Sequence, residues 1–287
     1  MPVSDQAENL RRKLARTKND KQAKTISVIS GKGGVGKSSF AVNFGLVLTN
    51  HDYKVLIIDL DIGMGNIEIM LGLHAEKSLM DMLEQKLELH QVIAKGPGNL
   101  SYISGGSGFN FLVSLTQRQK DLFYERYMEL SKIYHFIIFD MGAGITEDSL
   151  FFILCSDECV AVTTPEPTAL TDAYSIIKLL VKYRETIPIN IVMNRCRTEK
   201  EGEHAFLQFN QIIHRFLSIR AQLFGLLLED KAVPRSIIRQ SPYVLSNRKT
   251  KVSRGMKQLV ASYISTKNRD HHRSHRFIQR LKLFLKK

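Results

Sequence analysis

A glycine-rich segment near the N-terminus has the residue types and spacing of a phosphate-binding loop. Residues 31–38 read G-K-G-G-V-G-K-S, which fits G-x-x-x-x-G-K-S, and they follow an apolar run over residues 26–30. Glycines let successive backbone N–H groups turn around a β-phosphate, while Lys37 supplies a cation to the β- and γ-phosphate oxygens and Ser38 offers a hydroxyl to Mg²⁺. The nucleotide-binding residues predicted here are Gly33, Gly34, Val35, Gly36, Lys37, Ser38 and Ser39.

Two further apolar runs end in aspartates. Asp59 and Asp61 follow the first run, and Asp140 closes the second, which is itself followed by two glycines. An apolar run that ends in aspartate is common, so the two runs are informative only because they follow a phosphate loop. Together they predict phosphoryl transfer to water, with Asp140 holding Mg²⁺ through a water molecule and Asp59 supporting the metal site.

The elements that must position these residues alternate between strand-like and helix-like segments. The predicted strands are 26–30, 55–59, 136–140, 160–164 and 189–194, and the clearest predicted helices are 117–134, 168–184 and 203–216. Continuous apolar runs indicate strands that are covered on both faces. The predicted fold is therefore α/β: a single P-loop NTPase domain with a mostly parallel sheet and helices on both faces, whose ligands bind where glycines follow the strands.

The net charge of +13 is concentrated at the two ends of the chain. Residues 1–24 carry seven Lys or Arg against three acidic residues, and residues 267–287 carry eight against one. A near-neutral body with two basic tails predicts anionic or protein partners at the ends, and makes nucleic acid the weaker expectation. We expect three parts: a partner-binding arm (1–24), an ATPase domain (25–265), and a basic linker with an amphipathic helix (266–287).

Apolar runs and cysteines also indicate in which cellular compartment the protein is expected. No run approaches about 18 consecutive apolar residues, and no secretory signal precedes the first strand. The three cysteines, Cys155, Cys159 and Cys196, form no C-x-x-C pair. We therefore expect a cytoplasmic protein with buried, reduced thiols.

Residues 32–38 resemble the deviant Walker A motif of the MinD/ParA ATPases. This resemblance implies ATP or ADP with Mg²⁺ as cofactors and an ATP-dependent homodimer, across which Lys32 acts on the partner's nucleotide. It also implies that Asp61 orients the attacking water. Three further residues match positions that contact the base in this family: Asn194, Arg195 and Asp230. Simpler interpretations stay open, in which Lys32 is a solvated loop residue and Asn194 only forms a turn.

The C-terminal segment 276–287 has an apolar and a cationic helical face. The apolar residues are Phe277, Ile278, Leu281, Phe284 and Leu285. This pattern is typical of helices that lie in an anionic membrane interface, and MinD-like proteins end with such a helix. We expect peripheral attachment to the inner face of the cell membrane. The alternative is a terminal helix that docks on its own domain.

The N-terminal arm has a helix start but a thin apolar stripe, so it needs a partner to become ordered. Its predicted partner-binding residues are Asp5, Gln6, Leu10 and Arg11. Their motif, together with residues 164–174, resembles the flagellar-number regulators of the FlhG branch. This implies activation of the GTPase FlhF, control of flagellar number or placement, and contact with flagellar switch-ring proteins. The alternatives are a septum-placing MinD and a ParA-like DNA-binding partition ATPase, for which an apolar C-terminal face has no use.

Overall fold

Eight strands form one sheet in the computed structural model, which describes residues 22–61, 65–106, 116–144, 147–184, 186–267, 277 and 280. In chain order the strands are β1 (Lys24–Ser30), β2 (Val55–Leu60), β3 (Ala94–Lys95), β4 (Ser101–Ile103), β5 (Phe136–Ala143), β6 (Glu158–Thr163), β7 (Ile189–Cys196) and β8 (Gln222–Leu228). Their order across the sheet is β3-β4-β2-β5-β1-β6-β7-β8, and only the β3–β4 pair is antiparallel. The predicted α/β fold class is confirmed.

Helices cover both faces of this sheet. In chain order they are α1 (Lys37–Thr49), α2 (Asn66–Leu71), α3 (Leu79–Gln85), α4 (Leu89–Val92), α5 (Gln117–Ile133), α6 (Glu147–Cys155), α7 (Pro167–Tyr183), α8 (Glu199–Leu217), α9 (Ala232–Ile238), α10 (Tyr243–Ser246) and α11 (Lys251–Lys267), with a 3₁₀ turn at Pro97–Asn99. Neighbouring residues of β1 pack on opposite faces of the sheet. Val28 packs with the layer that contains α1 and α11, and Ile29 packs with the layer that contains α5 to α8. Burial on both faces explains the continuous apolar runs.

The five predicted strands and three predicted helices are all present, with ends shifted by a few residues. Thr116 and Thr198 explain two helix starts, because each side chain accepts a hydrogen bond from the backbone N–H three residues later. The prediction missed β3, β4 and β8. β3 and β4 have only two and three residues, and β8 lies at the sheet edge with its first residues exposed and with Gly225 among its apolar residues.

The body begins slightly earlier than the predicted boundary at residue 25. β1 starts at Lys24, and Ala23 is buried with its N–H donating to the Ser131 carbonyl at 2.7 Å. The arm residues Asp5, Gln6, Leu10 and Arg11 lie outside the described residues. The root of the arm is therefore part of the hydrophobic core.

Phe277 of the C-terminal segment is buried in this structure, whereas the sequence predicts that it contacts a membrane. Its side chain is 1% exposed, and its ring lies 4.2 Å from that of Tyr127 and 5.8 Å from that of Phe139, measured between centroids. Arg280 donates to the carbonyl oxygens of Ser156 and Cys155 at 3.0 and 3.4 Å, where the end of α6 favours a cation. In this state Phe277 is a core residue rather than a membrane contact, as the docking alternative requires.

The other four predicted membrane residues, Ile278, Leu281, Phe284 and Leu285, lie outside the described residues. Within the part of the chain that the structure describes, no helix is both long and apolar enough to span a bilayer.

The cysteines are buried and unbridged, as expected. Burial raises the pKa of Cys155 to about 12 and that of Cys196 to about 11, and it raises the pKa of Cys159 as well. Thiols that stay protonated at neutral pH are poor nucleophiles and poor metal ligands. They act as apolar core residues.

Candidate functional site

The phosphate loop connects β1 to α1 and depends on glycine at specific positions. Gly34 and Gly36 have φ values of 80° and 96°, a region that favours glycine. Gly31 lies against the backbone of α7, where an added Cβ would stand 2.3 Å from the carbonyl carbon of Asp172. The loop is therefore held against α7, and its glycines allow the conformation in which backbone N–H groups turn around a phosphate.

Lys37 lies at the centre of the site. Its buried ammonium donates to Asp140 Oδ1 at 2.7 Å and to Ser38 Oγ at 3.2 Å, and it lies 3.9 Å from Asp61 Oδ2. The structure thus brings together Lys37, the Ser38 hydroxyl, Asp61, which was predicted to orient water, and Asp140, which was predicted to bind the metal. A bound triphosphate would compete with Asp140 for the lysine.

The donor set at Ser38 and Asp140 fits Mg²⁺. Asp140 is fully buried, and its Oδ2 has no hydrogen-bond partner among the described residues. A buried carboxylate oxygen without a partner is costly unless a ligand satisfies it. Mg²⁺ prefers oxygen donors and keeps several waters, so one hydroxyl, one carboxylate and phosphate oxygens suffice. Across the described ranges no group of three or more His, Cys, Asp or Glu could hold a metal ion by itself.

Asp59 shapes the segment that carries Asp61. Its Oδ1 accepts from the Asp61 backbone N–H at 2.9 Å and its Oδ2 from the Ile67 N–H at 3.4 Å. The pKa of Asp59 is raised to about 7. Burial is the largest cause, and the negative charge of the nearby Asp140 is the second. A bound cation would favour its charged form. Both oxygens of Asp59 thus hold the backbone that follows β2, and its support of the metal site stays a prediction.

Asp61 is half-buried at the edge of the site. Burial is the main cause that raises its pKa, and Lys37 opposes this shift. Asn66 holds the carboxylate by donating from Nδ2 to Asp61 Oδ2 at 2.9 Å. The sequence analysis missed Asn66, since an asparagine at a helix start carries no signal beyond helix capping.

The base-site residues have contacts that the spacing did not predict. Asn194 donates from Nδ2 to the Val35 carbonyl at 2.7 Å, so it ties β7 to the phosphate loop. Arg195 is exposed and has φ 56°, an unusual conformation for arginine that often marks a functional site. Asp230 accepts from the N–H groups of Ala232 and Val252 at 2.9 and 3.4 Å, at the starts of α9 and α11. Asp230 therefore has a structural role in addition to any contact with a base.

Asn43 is a positioning residue that the sequence analysis missed. It is buried in α1, where its Nδ2 donates to the Ser39 carbonyl at 2.8 Å and its Oδ1 accepts from the Val244 N–H at 3.1 Å. The helix that carries Ser38 and Ser39 is thereby joined to α10. A polar residue inside an otherwise apolar helix was the available signal.

Lys32 differs from Lys37 in both direction and exposure. Its side chain is exposed, and its Nζ lies 3.4 Å from Thr168 Oγ1 at the start of α7. Among the ion pairs of the described residues, none involves Lys32, whereas Lys37 pairs with Asp140 and Asp61. The loop thus carries one lysine directed into the site and one at its outer rim.

A family model for the CobQ/CobB/MinD/ParA nucleotide-binding domain matches residues 26–243. The chain belongs to this family. Proteins of its MinD/ParA branch are P-loop ATPases, and the match covers the phosphate loop, both aspartate segments and Asn194.

The curated relatives of this chain include an antiactivator and a flagellum site-determining protein. The antiactivator FleN of Pseudomonas aeruginosa is 29% identical over 235 residues, covering 82% of this chain and 84% of FleN. The flagellum site-determining protein YlxH of Helicobacter pylori is 34% identical over 189 residues, covering 66% of this chain and 63% of YlxH. These two matches confirm the predicted resemblance to the FlhG branch.

Solved structures agree on the fold. MinD from Pyrococcus horikoshii in complex with Mg-ADP has a TM-score of 0.68 and 24% identity, covering 84% of this chain and 96% of that one. At this identity the comparison establishes a shared fold only.

Proposed function

We propose that this MinD/ParA family protein hydrolyses ATP and cycles between a monomer and an ATP-bound homodimer that regulates flagellar number or placement. The proposal rests on the different positions of the two lysines in the phosphate loop. Lys37 is buried against Asp140, whereas Lys32 is exposed at the rim and directed away from that site. A rim lysine beside a nucleotide site is available to a second nucleotide that faces it. The relatives FleN and YlxH supply the flagellar context.

The residues of this chain divide the chemistry between them. The loop N–H groups and Lys37 bind and orient the phosphates, while Ser38 and Asp140 hold Mg²⁺, which neutralises charge that develops on the phosphate oxygens. Asp61 orients the attacking water, and Asn66 fixes that carboxylate. Asn194 contacts the adenine edge, with Arg195 lying over the base.

The Lys32→Ala variant tests the homodimer. We expect it to bind ADP normally, because Lys32 does not reach the buried site, and to lose both ATP-dependent dimerisation and most ATP hydrolysis. Light scattering with a non-hydrolysable ATP analogue measures the first effect and phosphate release measures the second. Lys54→Ala, an exposed lysine before β2, is the matched control. Full dimerisation of Lys32→Ala would remove the role of this lysine across the dimer.

Membrane attachment through the C-terminal segment requires a change at Phe277. Its ring is packed between Tyr127 and Phe139, so it cannot contact lipid while it stays there. In the proposed cycle, ATP-bound dimers release this segment and bind an anionic membrane. Two weak helices on one dimer bind together, because the second is held at high effective concentration once the first is bound.

A Phe277→Trp variant tests this release. The chain contains no tryptophan, so the substitution supplies a single fluorescent probe. We expect brominated lipids in anionic vesicles to quench the probe with ATP but not with ADP, because only a released ring reaches the acyl chains. Phe209→Trp, buried in α8, is the control and should not be quenched. A chain that lacks residues 276–287 should fail to pellet with the vesicles; unchanged pelleting would locate the anchor elsewhere.

The N-terminal arm contacts a GTPase partner of the FlhF type in this proposal. Ala23 directly precedes β1, and Arg280 donates to the carbonyl oxygens of Cys155 and Ser156, just before β6, so both extensions leave the body near the amino ends of the strands, away from the nucleotide loops. This placement leaves the arm accessible while the opposite edge forms a dimer. The membrane and the flagellar switch ring are then reached from the same end.

A peptide of residues 1–24 tests the role of the arm. We expect it to raise GTP hydrolysis by FlhF without the ATPase domain, since a glutamine amide can orient an attacking water. Gln6→Ala should reduce stimulation more than binding, whereas Leu10→Asp should reduce binding by placing a charge in the apolar stripe. If the full chain without residues 1–24 stimulates FlhF equally, the arm has no such role and a septum-placing or partition function gains support.

A further inference from the structure

The carboxylate of Glu68 joins the short helix that follows Asp61 to two other parts of the chain, and none of the roles above uses it. Its Oε2 accepts from the Ser104 hydroxyl at 2.7 Å, and its Oε1 accepts from the Ala75 backbone N–H at 2.6 Å. The side chain is 17% exposed, and Nδ1 of the exposed His74 lies 3.4 Å from Oε1. A carboxylate that is largely removed from water is costly unless it is hydrogen-bonded, so these contacts fix where Glu68 lies.

Helix α2, which carries Glu68, depends on tertiary contacts for its position. It has six residues, and a helix of that length does not persist on its own in water. At its start the Asn66 side chain donates to Asp61, and along its length Ile67 and Leu71 are buried. Glu68 adds a polar attachment to the chain that follows β4. A change at Glu68 is therefore transmitted to the helix that carries Asn66.

The attachment at Ser104 closes a ring of contacts around the segment that carries Asp61. Ser104 is buried and directly follows β4, which pairs with β2. Strand β2 leads to Asp61, and α2 comes next in the chain. Glu68 then ties α2 back to the end of β4, the neighbour of β2 in the sheet. The sheet thus fixes the position of Asn66 relative to Asp61.

We infer that Glu68 is a positioning residue for ATP hydrolysis, which acts on Asp61 through α2 and Asn66. The inference rests on the proposed role of Asp61 as the group that orients the attacking water. A small displacement of α2 weakens the Asn66–Asp61 hydrogen bond, because hydrogen bonds depend steeply on distance and angle. The rate of the chemical step depends in turn on the orientation of the attacking group. Nucleotide affinity depends on the phosphate loop, to which Glu68 does not belong.

The test is a Glu68→Ala substitution in the full chain, with phosphate release measured over a range of ATP concentrations. We expect kcat to fall about 10-fold and KM and Mg-ADP affinity to stay within about twofold, because orientation is lost while the phosphate loop is intact. Ser104→Ala removes one of the two ties and should lower kcat about threefold. Glu68→Gln should recover most of the rate, since its amide oxygen still accepts from the Ala75 N–H and its amide nitrogen can donate to the Ser104 oxygen.

A double variant separates positioning from a general loss of stability. If Glu68 acts through Asn66, adding Glu68→Ala to Asn66→Ala should lower kcat by less than about twofold further, whereas independent effects multiply. The matched control is Glu88→Ala, because Glu88 ties the start of α4 to Arg126 of α5, and these helices carry none of the site residues named above. It should keep the wild-type kcat even where thermal unfolding shows a lower midpoint.

The outcomes distinguish this inference from the proposed function. A wild-type kcat in Glu68→Ala, or effects that multiply in the double variant, would overturn the positioning role while the role of Asp61 stands. If Asp61→Ala itself hydrolyses ATP at the wild-type rate, both roles are wrong. Ser104→Ala leaves every carboxylate in place, so it decides the question if Glu68→Ala does not fold.

Discussion

Replacing Lys37 with alanine is expected to weaken ATP binding by about 100-fold, because charge-assisted hydrogen bonds to phosphate contribute roughly 2–3 kcal/mol. The side chain is buried in the centre of the loop, and in the described part of the chain it is the lysine that contacts Asp140 and Ser38. Titration with a fluorescent ATP analogue measures the loss. Lys32→Ala, on the same loop but exposed, should bind ADP with unchanged affinity.

The same substitution should also destabilise the empty protein. Asp140 is fully buried, and removal of its partner leaves an unpaired charge, a change that costs about 3–5 kcal/mol in buried ion pairs. Thermal unfolding without nucleotide should show a lower midpoint. A Lys37→Ala, Asp140→Asn double variant should recover much of the stability, because the unpaired charge is gone, but none of the ATP affinity. Normal ATP binding by either variant would refute the assignment of Lys37.

Asp61→Ala is expected to lower the rate of ATP hydrolysis by about 100-fold or more while ATP still binds, because the substitution removes water orientation and leaves the loop intact. Asp61 lies at the half-buried edge of the site, and its removal leaves the Lys37–Asp140 pair in place. ATP-bound dimers should therefore accumulate. Phosphate release and light scattering at saturating ATP measure the two effects.

A positioning variant separates orientation from simple loss of charge. Asn66→Ala keeps the Asp61 carboxylate but removes the Nδ2 donor that holds it at 2.9 Å. It should lower kcat by less than Asp61→Ala does and leave KM nearly unchanged, because ground-state binding is unaffected. If Asp61→Ala hydrolyses ATP at the wild-type rate, or stays monomeric with ATP, another group orients the water.

The phosphate loop, its two partner aspartates and the α/β fold were predictable because each depends on local rules. The glycine spacing requires a tight turn, and continuous apolar runs require strands covered on both faces. Carboxyl ends of parallel strands meet at one edge, so Asp61 and Asp140 were expected beside Lys37, and they lie there. The buried cysteines followed from composition in the same way.

Other features were decided by contacts between residues far apart in the chain. The amphipathic pattern around Phe277 fits both a membrane surface and a pocket on the same domain, and the contacts with Tyr127 and Phe139 show that the ring occupies the pocket in this structure. Asn43 and Asn66 carry no motif, and the hydrogen bonds of Asp230 to helix-start N–H groups are separate from its predicted base contact, since these roles depend on partners that tertiary packing supplies.

The sequence by itself determined the phosphate chemistry, the layered fold and the basic character of the two tails, because residue type and short-range spacing suffice for each. Tertiary structure alone decided that Asn66 holds Asp61, where the ring of Phe277 lies and that α9 lies beside α2. The physical reason is that β8 and β2 lie far apart in the sheet, and only the chain that crosses back over it brings their helices into contact.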